Sequence, residues 1–526
     1  MSGRRHAIRH AAAFWLLLAL AKFAAAQPLW LDAGGQWRPA AREALGWLKQ
    51  ADRDGLRPAD YGAARLEQAL DQAVTPETAV RLDGELTQAV LRYLHELRHG
   101  RIDAAQLRAR YDSASAPAPD LPLLLREAVL QDRPAALLSA ATPPWPQYAP
   151  LREALARYRA LAEHPAWRQP LPTPPRGKLQ PGERWSGLPL LAERLLALGD
   201  LPLAPAVAPV DGTAPHRASE PGYDAALQQA VKAFQRRHAL VADGIVGKAT
   251  LDALAVTPAA RARQLELALE RLRLTPLPAA PRFVTVNVPE FMLRAYEQDG
   301  GGVRQAMAMR VIVGKALDTR TPLFDEDMLW IEFSPYWNIP SSIARGETIP
   351  KLRANPGYLA AQGMEFVGAG GVSTAVTPEN LDAVLAGRLR IRQRPGPKNA
   401  LGDIKFMLPN NQNIYLHHTP SVGLFERVRR DFSHGCIRIE DPIALALWVL
   451  HGDPAWTEAR VRESMGRPRP VTARLPTPVP VLITYSTAIV EGGEVRFVPD
   501  LYGHDRVLEQ ALRRRADSGE SAAARP

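Results

Sequence analysis

Ile414–Glu440 reads IYLHHTPSVGLFERVRRDFSHGCIRIE, and this stretch governs how the rest of the 526-residue chain is interpreted. It holds His417, His418, Ser433, His434, Gly435, Cys436 and Arg438, and Cys436 is the only cysteine of the chain. A thiol nucleophile needs a base to make thiolate near neutral pH. It also needs hydrogen-bond donors for the oxyanion that forms on attack. Ser433-His434-Gly435-Cys436 is suited to both demands. Gly435 permits a tight backbone approach, so the amides of 435 and 436 are expected to face a substrate carbonyl. A strand ending at His417 holds an imidazole rigidly, and the nineteen-residue step to Cys436 returns the chain beside it. Adjacent strand residues face opposite ways, so one of the two histidines is the base. Spacing and alternation favour His417 and leave His418 as a partly exposed loop residue. Asp431 lies nearby and is expected to be solvated.

Outward from this stretch, the upstream pattern is that of short strands. Phe283–Val288, Met292–Tyr296, Met307–Val313, Met328–Phe333 and Asn413–Leu416 alternate or run apolar, and Asp299-Gly300-Gly301-Gly302 marks a turn. Between them, residues 335–400 form a long Pro- and Gly-containing segment with a few helical turns. A connection of that length in a compact domain is usually functional, a lid for example. Further upstream the periodicity is helical. Ala259–Leu274 predicts a connector helix. Leu188, Leu191, Leu195 and Leu198 form a stripe ended by Gly199, and Leu227, Val231 and Phe234 form another, followed by a turn at Asp243-Gly244. Thr75-Pro76-Glu77 predicts a capped helix start, with Leu82, Leu86, Val90, Leu94 and Leu97 behind it and Gly100 as its stop.

The chain begins like a secretory signal. Arg4, Arg5 and Arg9 precede the apolar run Ala11–Ala21, and Ala24-Ala25-Ala26 supplies small residues for cleavage after Ala26. If uncleaved, the segment would act as an inner-membrane anchor. A lone thiol in an exported chain forms no internal disulfide and is flagged as reactive. The formal net charge of +10 favours anionic partners. No long Lys/Arg block appears, and Arg513-Arg514-Arg515 reads as a solvated tail, so a nucleic-acid partner is not expected. His417, His418 and His434 are available to zinc, but no cysteine pair or His-Glu-x-x-His accompanies them, so no metal site is expected. No phosphate-binding glycine loop appears, and no cofactor is expected.

The pattern of His417, a spacer, Ser433-His434-Gly435-Cys436 and a basic residue two positions on resembles the YkuD-type L,D-transpeptidase catalytic domain. PYWNIPSSIARGETIPKL (335–352) and GPKNALGDIKFMLPN (396–410) resemble the large, scaffold-bearing Gram-negative subfamily. AVKAFQRRHAL followed by ADGIVGKATLDAL resembles the helical peptidoglycan-binding domain of bacterial wall enzymes. The resemblance implies a multidomain α+β protein: signal peptide 1–26, helical scaffold 27–177, peptidoglycan-binding-like domain 178–256, helical connector 257–282, β-rich catalytic domain 283–500 with a capping subdomain at 335–400, and a tail at 501–526. It makes Cys436 the nucleophile, His417 the base and His434 a supporting active-site histidine. It makes Arg438 the partner of a substrate carboxylate, with Ser433 and Gly435 shaping the loop; apart from the resemblance, Tyr336, Trp337 and Tyr415 are candidates to line the donor groove, with core aromatics as the alternative. It implies a periplasmic enzyme that forms 3→3 peptidoglycan cross-links through a Cys436 thioester, with stem peptides as donor and acceptor, carbapenems as inhibitors and wall-synthesis proteins as partners. Attachment of a lipoprotein to peptidoglycan, a hydrolytic wall cysteine peptidase, and a binding module with a dead site stay open as alternatives.

Overall fold

The computed structural model describes residues 28–72, 75–112, 119–202, 222–300 and 302–523. The signal-like segment and the Pro/Ala-rich stretch 203–221 lie outside them. The chain divides into two compact units, one of residues 1–100 with 117–143, the other of 101–116 with 144–526. The architecture is multidomain α+β.

The first unit is helical. Its longest helix, Pro76–His99, begins and ends where the sequence predicts: the Thr75 side chain accepts from the Thr78 N–H, Pro76 occupies the first turn, and Gly100 leaves the helix at φ 78°. Leu82, Leu86, Val90, Leu94 and Leu97 are all buried along one stripe. The same helix carries buried Asp83, which accepts the backbone N–H groups of Leu29 (3.1 Å) and Trp30 (2.6 Å) and so ties the entering chain to it.

The second unit contains a small helical bundle, Leu188–Leu198, Ala225–Arg237 and Lys248–Ala255, around Leu191, Leu195, Val231 and Phe234. Gln235 braces its Asp243-Gly244 turn by donating to Asp243 Oδ1 and accepting from the Gly244 N–H. The following helix, Pro258–Leu274, was expected as a connector, yet its residues are buried most of the way round, including Leu265, Leu269, Glu270 and Arg273. Glu270 accepts from the Arg101 side chain and from Arg273, each at 3.0 Å. Burial alone would push this carboxyl up; the two guanidiniums more than offset that and hold it ionised.

The β-rich part contains β1 (Arg282–Asn287), β2 (Met292–Asp299), β3 (Gly302–Gly314), β4 (Asp325–Phe333), β5 (Trp337–Asn338), β6 (Met364–Gly368), β7 (Gly371–Ser373), β8 (Arg390–Gln393), β9 (Ile404–Met407), β10 (Leu416–His417), β11 (Asp431–Ser433), β12 (Ile437–Ile439), β13 (Val471–Thr484), and the hairpin β14–β15 (Ala488–Glu491, Glu494–Phe497). The large sheet runs β11-β3-β12-β10-β9-β4-β13-β1-β2, and β2 pairs with β3 as well, so eight strands close on themselves and hide their edges. Residues 335–400 form an insertion between β4 and β9 with its own four-stranded sheet, β5-β8-β6-β7, and its own core around Leu352, Phe366 and Ile391. Trp337 packs against that core. The insertion leaves and re-enters at one point: the Ser334 N–H donates to Asp403 O at 2.8 Å.

Glu270→Gln should leave two buried guanidiniums short of their counter-ion, and removing one member of such a group costs about 3–5 kcal/mol. The expected outcome is a clear fall in the thermal midpoint and in the denaturant midpoint at an unchanged slope.

Candidate active site

The site follows from strand register. β10 lies between β12, to which it is parallel, and β9, to which it is antiparallel. Leu416 stands opposite Ile437 and Phe406, while His417 stands opposite Arg438 and Lys405; on the next strand Glu332 stands opposite Lys405. Residues directly opposite share a face. One face therefore carries the buried apolar row Ile331, Phe406, Leu416 and Ile437, and the other carries Glu332, Lys405, His417 and Arg438 across four adjacent strands. Cys436 immediately precedes β12 and is half-buried on the polar side, at the head of this row.

The loop that presents Cys436 is held by hydroxyl groups. Ser433 Oγ donates to the Cys436 carbonyl at 2.5 Å and accepts the Gly435 N–H at 3.1 Å. Thr321 Oγ1 donates to the Gly435 carbonyl at 2.7 Å, and Thr319 Oγ1 donates to the Ser433 carbonyl at 3.0 Å. Gly435 sits at φ 115°, where a Cβ would be strained and 3.2 Å from Ile414. The Gly435 amide is thus already used within the loop, which corrects the expectation that the 435 amide faces a substrate carbonyl together with that of 436. Asp431 departs from expectation in the same way. It is buried, accepts from Arg429 at 2.6 Å and from the Ala316 N–H at 3.2 Å, and anchors the strand before the loop.

His417 is buried and places Nδ1 2.5 Å from the His418 carbonyl. A carbonyl oxygen can only accept, so Nδ1 carries the hydrogen and Nε2 keeps the lone pair, and the backbone of Leu401 steadies the ring beside that of His418. Burial, reinforced by Arg438 and Lys405, drives the imidazole down to about 3, so the ring is neutral at physiological pH. His418 is half-buried, with Nδ1 2.8 Å from Asp403 Oδ1. Gly402, at φ 64°, underlies this pair: a Cβ there would lie 2.8 Å from His418 Cβ.

Burial pushes the Cys436 thiol up, and Tyr415, Lys405 and Arg438 pull it only part of the way back. Tyr415 lies near enough to the sulfur to favour thiolate, and the thiol donates to the Asn413 carbonyl at 3.4 Å. The resting pair is therefore a neutral thiol with a neutral imidazole. Arg438 is half-buried, and its Nε, shielded from solvent, has no hydrogen-bond partner among the described residues. His434 is exposed and lies 2.6 Å, through Nε2, from Glu347 Oε1 of the 335–400 insertion. Of the residues singled out in the sequence, register gathers Cys436, His417, Arg438 and Tyr415, while Ser433 and Gly435 build the loop and His434 joins the insertion. Lys405, Glu332, Asp403 and Glu347 were missed. The only trace of Lys405 was a cation alternating with Ile404 and Phe406, which acquires meaning once the neighbouring strands are known.

Gly402→Ala should displace the His417–His418 pair and reduce Cys436 reactivity without altering the nucleophile, measurable as slower thiol alkylation in a folded protein. Acid sensitivity follows from His417. In the unfolded chain it takes up a proton below about pH 6.5, whereas the folded protein resists protonation until about 3, so its contribution to stability is present above 6.5 and lost as pH falls between the two. The share is about 1.4 kcal/mol per pH unit. Comparison of wild type with His417→Gln by chemical denaturation from pH 7 to 4 should show the shallower acid decline in the variant.

Sequence comparisons agree with this geometry. Residues 281–457 match the family described as "L,D-transpeptidase catalytic domain", residues 22–155 the "Scaffold domain", and residues 220–254 the "Putative peptidoglycan binding domain". A Haemophilus influenzae protein named "Putative L,D-transpeptidase" is 32% identical over 249 residues, 47% of this chain and 49% of that protein, so the chain spans about half the length of this curated relative. The solved structure of Bdellovibrio bacteriovorus Bd1075 matches at 13% identity over 44% of this chain and 56% of that one, with a TM-score of 0.17, too low to bear on the fold. Along the chain, therefore, a stretch similar to the scaffold family comes first, one similar to the putative peptidoglycan-binding family second, and one similar to the L,D-transpeptidase catalytic domain family third.

Proposed function

We propose that the protein is an L,D-transpeptidase of the cell wall or periplasm that forms 3→3 cross-links in peptidoglycan through a thioester on Cys436. The observation that carries this reading is the neutral Nε2 of His417 set in one row with Arg438, beside the Cys436 loop, within the matched catalytic domain. Among the described residues no helix is long and apolar enough to cross a membrane.

In this reading a tetrapeptide stem enters under the 335–400 insertion, which serves as the capping subdomain. The Cys436 thiol passes its proton to His417 Nε2 while sulfur attacks the carbonyl at the L-centre of the third residue. The C–S bond forms, the carbonyl oxygen becomes an oxyanion, and the Cys436 N–H is the donor available to it. The C–N bond to D-Ala then breaks, and His417 returns the proton to the departing amine. The amine of a second stem attacks the thioester, again losing its proton to His417, and free thiol is regenerated. The environment suits this sequence: burial and two flanking cations disfavour a lasting imidazolium, which makes the protonated ring a strong acid toward the leaving amine. The half-buried positive charge of Arg438, whose Nε has no partner among the described residues, fits a substrate carboxylate. His434 holds the insertion through Glu347, and the 178–256 region tethers the enzyme to the wall.

Incubation of the mature protein with a carbapenem should add one inhibitor mass to wild type and none to Cys436→Ala, read by intact mass spectrometry. With purified tetrapeptide stems, wild type should yield 3→3 dimers. Tripeptide alone would mean a hydrolase, and the absence of both adduct and product would mean the acyl-transfer reading is wrong.

A further inference from the structure

Lys405 sits inside this site and no step above uses it. It occupies the central strand β9, between Glu332 on β4 and His417 on β10, and these are its direct register partners. Its Nζ lies 4.0 Å from the centroid of the Tyr415 ring, a cation–π contact, and Tyr415 in turn neighbours the Cys436 sulfur. The side chain is half-buried, whereas a lysine that only solvates a sheet face extends its ammonium into water. The charged and titratable groups facing it are Glu332 from β4, Tyr415 and His417 from the β10 segment, and Cys436 and Arg438 from the β12 segment.

We propose that Lys405 is a positioning residue for the nucleophile: its ammonium, held on the Tyr415 ring opposite His417, fixes the tyrosine that contacts Cys436 and supplies the standing positive charge that favours thiolate at the moment the proton leaves sulfur. This rests on the acyl-transfer reading of the site. Lys405 keeps its proton throughout. The proton moves from Cys436 Sγ to His417 Nε2, and Lys405 acts only by charge and contact. The arrangement resolves a conflict in the site. His417 is kept neutral by burial and, after it, by the cations on either side, and the same two cations stabilise the negative sulfur, so the field that weakens the base strengthens the acid it must deprotonate.

Because Cys436 is the only cysteine, alkylation by iodoacetamide followed by intact mass reports its ionisation alone. The rate is measured from pH 6 to 11 on wild type, Lys405→Met, Lys405→Arg and Glu332→Gln, each confirmed folded by its near-ultraviolet spectrum. Lys405→Met should move the midpoint up by about one pH unit, a roughly tenfold slower reaction near pH 7.5, with the limiting rate at high pH unchanged. Lys405→Arg, which keeps the charge and stacks on an aromatic ring, should restore the wild-type midpoint. Glu332→Gln removes the opposing charge and should move the midpoint down, and it carries the test if the methionine variant does not fold. A Lys405→Met midpoint coincident with wild type, or a Glu332→Gln midpoint that fails to fall, overturns the proposal. Alkylation needs neither donor nor acceptor stem. A shifted midpoint with no tetrapeptide turnover would therefore sink the acyl-transfer reading and leave the role of Lys405 standing.

Discussion

The pairing of β10 with β12 is the constraint on which the site depends. It is two residues long, Leu416 with Ile437 and His417 with Arg438, yet it decides which side chains meet. A strand alternates faces with a period of two, so a slip by one residue would send His417 into the apolar interior and bring Leu416 up beside the thiol. The register is fixed from below, where Leu416, Ile437, Phe406 and Ile331 are completely buried in one row. Burial of that apolar row is a non-directional force, and it is converted into directional placement of the polar groups above it because the two rows share one backbone.

The remaining architecture protects this register. Closure of the sheet through β2 and β3 removes free edges that could pair elsewhere. Hydroxyl groups from Thr319, Thr321 and Ser433 satisfy the backbone of the Cys436 loop, so its shape is set before any substrate arrives. The buried trio of Arg101, Glu270 and Arg273 secures the helix Pro258–Leu274, whose surroundings make it a central strut of the second unit.

Local signals carried much of this into the sequence. Thr75 and Gly100 bound a helix through capping and left-handed geometry, which depend on a few neighbouring residues. The strands around Asp299–Gly302, and the placement of His417 beside the Cys436 loop, were legible because alternation and the Ser-His-Gly-Cys stretch are short-range patterns. What was illegible depends on partners distant in the chain. The Gly435 amide looked free until Ser433 Oγ was seen to occupy it. Asp431 looked solvated until Arg429 and the Ala316 N–H were found to enclose it. Lys405 and Glu332 are unremarkable on their own strands and acquire significance through the cross-strand row. Glu347 lies 87 residues before His434, and no periodicity links them.

The insertion between β4 and β9 has a consequence beyond the chemistry. Its two ends meet where Ser334 and Asp403 share a backbone hydrogen bond, and it folds around a core of its own. The distance between its ends is set by the neighbouring strands and not by its length. Such a segment can lengthen, shorten or be exchanged over evolutionary time without disturbing the strand register beneath it. The strand row and the insertion beside it are thereby separable modules, and one can diverge while the other is conserved.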